Sequence, residues 1–342
     1  MTSRVLVQSA VRERQSGASD VAGVLILGAC AAWALVTAAG RDARPEGLLL
    51  AVLAVGAGYV AGRTAGSLMP VGAAAGAALL GVCLALFDPS SSRMISGAIE
   101  FAGPAGRSGV TAALLTLAVG AACCAAWATP VRSLRVALQL LGAGTVTVAL
   151  LVGTPVGFAA GLAVLLCSLA AGRIRRRLLP LAALALVATA VTGVAFAVAQ
   201  DALPRGVTVA LESELTGHRV SLWNDALLLT REQPLFGTGP DTFGELSPTT
   251  QEAAAADGKP HSAPLQLAAE QGLPGLALLA AAYGWLMLAL WASPRPTPVV
   301  LTAGAALSAL AALCAIGNAL SFAQVTAGAA LLAGTATARS LS

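Results

Sequence analysis

The chain has 342 residues, of which 57% are hydrophobic and 11% charged, with a mean hydropathy of +0.81 and a formal net charge of +4. So little polar surface cannot keep a chain of this size in water, which excludes a soluble domain and makes lipid the solvent. Lys259 is the single lysine; the arginine bias fits a GC-rich genome, and no nucleic-acid partner is expected.

A crossing needs about 20 apolar residues to traverse about 30 Å of hydrocarbon. Backbone groups there must be satisfied within each segment, so long apolar runs predict helices. Residues 1–20 are polar or mixed and read as a cytoplasmic N-terminal segment, with no pattern of a cleavable signal. Seven runs then form a membrane region over 21–199: 21–40, 47–62, 67–87, 109–128, 134–152, 156–172 and 179–199. A polar interval, 200–271, follows. A three-helix region over 272–338 holds runs at 273–291, 299–316 and 318–338, and 339–342 is a tail. The expected fold is therefore an all-α polytopic integral membrane protein of about ten transmembrane helices, with one long extracytoplasmic loop containing short helices. Small residues at four-residue spacing, such as Gly72 and Gly76, predict close helix contacts. The six cysteines all lie in apolar runs and read as small packing residues, not as a disulfide framework or a thiolate metal site.

Orientation follows from arginine placement. With a cytoplasmic N-terminus, Arg4, Arg12, Arg14, Arg63, Arg132, Arg135, Arg173, Arg175, Arg176, Arg177, Arg295 and Arg339 all lie inside. The short outer loops then hold Arg41, Arg44, Arg93 and Arg107, which satisfies the positive-inside rule. Both termini are thus expected in the cytoplasm, the long loop outside, and the protein in a bacterial cytoplasmic (inner) membrane.

The long loop carries both histidines, His218 and His261, in a stretch too long for a simple connector. Residues 218–230 predict an amphipathic helix with Val220, Trp223 and Leu227 on one side. Pro234 and the Gly237-Thr238-Gly239-Pro240 turn end it. A second helix is predicted from Ser262, an N-cap residue type, through Pro264 in its first turn to Gln271, with Gly272 closing it. His261 then stands just ahead of a helix N-terminus, a place that also attracts anions such as a diphosphate.

Three ordered segments carry a family resemblance. They are Arg219-Val220-Ser221-Leu222-Trp223, then Pro234-Leu235-Phe236-Gly237-Thr238-Gly239-Pro240, then His261 followed by Leu265, Glu270, Gly272 and Gly275. Together they resemble the R-x-x-x-W, P-x-F-G-x-G and H-N-x-x-L-x-x-x-x-E-x-G-x-x-G segments of the O-antigen ligase and Wzy-type polymerase superfamily. The resemblance spans 217–290, roughly a fifth of the chain. It departs at Ser262, where the family usually has Asn, and in having fewer spans than the twelve or so common there.

The resemblance implies a glycosyltransferase of GT-C-like architecture serving cell-surface polysaccharide assembly. Its donor would be a glycan on a polyprenyl (undecaprenyl) diphosphate carrier, and its acceptor a hydroxyl of a glycan, a lipid-linked molecule or a protein. Arg219 would stabilise the departing diphosphate through paired hydrogen bonds. His261 would take the acceptor's proton or hydrogen-bond the diphosphate. Arg205, Arg231, Lys259 and Glu270 are further candidates for contact with diphosphate or glycan. Glu212 and Glu214 form a weak acidic pair, so neither a metal nor another cofactor is expected. The competing readings are a shape, elongation and division (SEDS) type peptidoglycan glycosyltransferase, which relies on a loop carboxylate, and a multi-span transporter, which would place polar groups at membrane depth.

Overall fold

The computed structural model describes residues 2–87, 104–200, 202, 217–252 and 258–339, with side chains from 19 onward in the first segment and from 109 onward in the second. Arg205 and the Glu212–Glu214 pair lie outside the described residues. Among the described residues every regular element is a helix. They are α1 (Thr2–Ala38), α2 (Glu46–Leu68), α3 (Pro70–Leu86), α4 (Pro104–Ala128), α5 (Arg132–Leu151), α6 (Pro155–Ala171), α7 (Leu178–Ala199), α8 (Gly217–Glu232), α9 (Phe243–Leu246), α10 (Pro248–Glu252), α11 (Ala263–Trp291), α12 (Thr297–Ala315) and α13 (Ala323–Thr337), with a 3₁₀ turn at Ala319–Ser321.

Seven of these helices are long and apolar enough to cross a membrane, the architecture of a polytopic membrane protein. α3 and α6 are apolar but 17 residues long. At 1.5 Å per residue that is about 25 Å, short of a full hydrocarbon core. The run expected at 318–338 is interrupted by the 3₁₀ turn, and α13 keeps 15 residues. The run expected to begin at Ser67 instead breaks at Met69 (φ −140°, ψ 76°), and Pro70 opens α3. Proline suits that first turn because it has no N–H to leave unpaired. α2 outlasts its expected end at Gly62 because the charge of Arg63 is neutralised by Asp20 and lies over the Tyr59 ring. α1 is continuous across the boundary expected at residue 20.

α4 and α12 form the enclosed centre of the bundle, with α3, α5, α6 and α7 packed around them. α1, α2, α5 and α7 leave Val24, Leu53, Leu140 and Leu186 exposed, as a lipid-facing surface requires. α2 and α13 pack along a glycine seam: a Cβ on Gly58 or Gly62 would collide with the carbonyl of Ala327 or Leu331. Among the described residues the contact expected at Gly72 and Gly76 does not form, since Gly76 has no neighbour there and Gly72 meets only Met69. Small residues permit close approach, but the bundle decides which helix face meets another.

The two ends of the bundle differ. At one end Arg177 donates to the carbonyls of Ser293 (2.6 Å) and Arg295 (2.7 Å) and to Thr297 Oγ1 (3.1 Å). One member of the basic run 173–177 therefore ties α7 to the α11–α12 bend. At the other end, beyond Ile316, lie α8, α9, α10 and the first third of α11.

Candidate active site

α8 builds a small core of its own. Leu222, Trp223, Ala226 and Leu227 are buried against Ala195, Val198 and Ala199 of α7, Phe243 of α9, and Leu265 and Ala269 of α11. The polar side of α8 is occupied too. Asn224 Nδ2 donates to the Ala199 carbonyl (3.3 Å), at the end of α7, where helical carbonyls lack internal partners. Asp225 Oδ2 accepts from Ser247 Oγ (2.6 Å) and from the Thr249 N–H (3.0 Å), which pins α9 and α10 to α8.

Arg219 sits in the first turn of α8 and is half-buried. Burial pushes its guanidinium below the usual value, yet a guanidinium remains charged at neutral pH. One N–H reaches the Ile316 carbonyl at a long 3.4 Å. The rest of its donor fork is directed to no other hydrogen-bond partner among the described residues, so it can receive an anion.

α11 is two helices in one. Gly272 (φ 69°, ψ −172°) breaks its geometry, separating an arm, Ala263 to Gln271, from the longer apolar part. The Pro234–Pro240 turn seals the arm's C-terminal end. Thr238 and Gly239 donate their N–H groups to the carbonyls of Ala269 (2.9 Å) and Glu270 (2.8 Å), and the Leu273 N–H returns to the Pro234 carbonyl (2.8 Å). A Cβ on Gly237 (φ 61°) would collide with the backbone of Glu270 and Gln271, which explains glycine at that place. The carbonyl of Gln271, the last residue of the arm, accepts from Trp33 Nε1 (3.0 Å) on α1.

At the other end of the arm Ser262 is the N-cap residue, as expected, but its hydroxyl makes no capping bond. Its Oγ is buried without a hydrogen-bond partner among the described residues. His261, half-buried, adopts a positive φ of 53°, and Asp241 a φ of 62°. His and Asp are among the residue types that tolerate this region, and such conformations gather at functional sites. Glu270 is 6% exposed. Its carboxyl accepts from Gln266 Nε2 (3.2 Å), lies within electrostatic reach of Asp241 and Lys259, and has its pKa pushed up to about 7 by burial.

Lys259, Asp241 and Glu270 thus come together. Arg219 lies on, and His261 directly ahead of, two helices packed through the core of Trp223, Leu227, Leu265 and Ala269. Arg231 is not brought in. It is exposed in the last turn of α8, twelve residues or about 18 Å along the axis from Arg219, where a cation suits the negative end of the helix. Sequence reading missed Trp33, Arg41, Asn224 and Asp225. Trp33 and Arg41 could not have been found from spacing, because their partners lie about two hundred residues away. Among the described residues no three His, Cys, Asp or Glu side chains are placed to hold a metal ion.

An apolar cavity of about 340 Å³ adjoins the arm. Pro264, Leu267 and Gln271 of the arm line it together with Leu27 of α1, Val52 of α2 and Thr192 of α7, and none of its lining residues is charged. A family model described as O-antigen ligase matches residues 140–280. That interval runs from α5 through α8 and the turn into α11. No curated protein and no solved structure gives a significant match.

Proposed function

We propose, on the premise that residues 140–280 belong to the O-antigen ligase family, that this protein transfers a glycan from a polyprenyl diphosphate carrier to an acceptor hydroxyl at the extracytoplasmic face of the membrane. The observation that carries the reading is the joining of the Arg219 helix and the His261 arm into one polar unit beside an apolar cavity. An uncharged groove suits a polyprenyl tail, and the polar unit above it suits a diphosphate head.

In the reaction the acceptor oxygen bonds to the anomeric carbon as the bond from that carbon to the diphosphate oxygen breaks. His261 takes the acceptor's proton. Arg219 meets the charge that grows on the departing diphosphate, in a half-buried place where such stabilisation outweighs what water would give. Lys259, held near Glu270, adds positive potential. Transport has less support, since a path for a charged solute through the bundle would be lined by charged groups, whereas this cavity is mostly apolar and has no charged lining residue.

A deletion strain rescued with wild type, Arg219→Ala or His261→Ala tests this reading. Loss of either side chain is expected to lower transfer by about 100-fold or more, with carrier-linked glycan accumulating and finished surface polymer falling. If both variants restore normal polymer, the reading fails.

A further inference from the structure

The family match begins at residue 140, yet residues 33–44 are built into the site. The Trp33 ring stacks on Phe236 of the turn, with centroids 5.6 Å apart and planes 16° from parallel. Its Nε1–H closes the last carbonyl of the His261 arm. Arg41 spends a single nitrogen, Nη1, on the Thr37 carbonyl (3.0 Å) at the end of α1 and on the Gly237 carbonyl (3.1 Å) within the turn. The Arg44 N–H donates to the Pro240 carbonyl (3.0 Å) at the far end of that turn.

We propose that Trp33 and Arg41 are positioning residues of the transfer site, holding the Pro234–Pro240 turn so that the helix bearing Arg219 and the arm that follows His261 keep one fixed relation. The inference rests on the function proposed above. The turn is the direct continuation of α8, through the Gln233 N–H to Leu229 and the Gly237 N–H to Gln233. It also caps the far end of the arm. Whatever grips the turn therefore sets both helices at once. The nine-residue arm rises about 13 Å, so a small tilt at its capped end is carried to His261. A misplacement of about 1 Å at reacting groups costs on the order of 100-fold in rate. Arg41 is exposed, so its removal deletes hydrogen bonds without opening a hole in the core. Neither Arg41 nor Trp33 lines the apolar cavity.

The signature is accordingly a fall in kcat with little change in donor KM. Membranes of the deletion strain supply the accumulated carrier-linked glycan and the native acceptor, and purified full-length variants in lipid nanodiscs supply the activity. Arg41→Ala is expected to lower kcat about 10- to 100-fold, with donor KM within about threefold and an unchanged thermal unfolding midpoint. Arg41→Lys should recover part of the loss, since an ammonium still reaches the Gly237 carbonyl. Trp33→Phe keeps the stack on Phe236 and loses the bond to Gln271, so a drop of about 3- to 10-fold is expected. An Arg41→Ala protein as fast as wild type overturns the inference alone, as does a raised KM at unchanged kcat or a loss that follows the folded fraction. A wild-type protein that transfers nothing overturns the proposed function, and this inference with it.

Discussion

The α2–α13 seam and the polar unit around α8 solve the same problem, fixing one helix against another, by opposite means. In the seam, Gly58 and Gly62 remove side chains so that backbone meets backbone. The polar unit uses a buried indole, Trp223, and side chains spent on helix-end carbonyls: Asn224 on Ala199, Trp33 on Gln271, Arg41 on Thr37. The difference follows from solvent. In lipid there is no hydrophobic gain from bringing apolar helices together, so contact depends on close fit. Where helices end, unpaired carbonyls must be met, and polar side chains near water can meet them.

The contrast can be broken at several places. Trp223→Ala should have the largest effect on stability, about 3–5 kcal/mol, because it empties the centre of the small core. Its damage should stay local: hydrogen exchange should accelerate across α8 to α10 while the bundle remains protected. Uniform loss of protection would show that the two regions are one cooperative unit. In the seam, Gly62→Ala should cost about 1–3 kcal/mol, whereas Gly76→Ala, with no neighbour among the described residues, should lie within about 0.5 kcal/mol of wild type. Equal effects in detergent unfolding would remove the case for a backbone seam. Within the polar unit Asp225→Asn should cost less than Trp223→Ala, about 1 kcal/mol, since an amide oxygen can still accept from Ser247 or Thr249. Faster proteolysis within α9 and α10 would report it, and an unaltered cleavage pattern would mean that Asp225 does not pin them.

Much of this arrangement was legible beforehand. The break at Gly272, the N-cap position of Ser262 and the end of α8 near Pro234 follow from residue types with strong local preferences. Ser67 and Gly62 misled as span limits because Pro70 and the Asp20–Arg63 pair, not hydropathy, set where α2 stops. Arg231 looked as basic as Arg219 in one dimension, and only the length of α8 separates them. The resemblance names Glu270 as a candidate for substrate contact, and what the sequence does not show is that its carboxyl is buried and accepts from Gln266 one turn earlier.

By itself the sequence determined that the chain lives in lipid, that its polar chemistry is gathered in one interval, and that this interval carries two helices and a glycine turn. Those features depend on composition and on neighbours within a few residues, where hydrophobicity, proline and glycine act directly. Tertiary structure alone decided which glycines form the seam, which arginine reaches the turn, and that Trp33 of α1 meets the end of an arm more than two hundred residues later. A carbonyl at a helix end requires a donor without specifying where in the chain that donor lies; the packing of distant helices selects it.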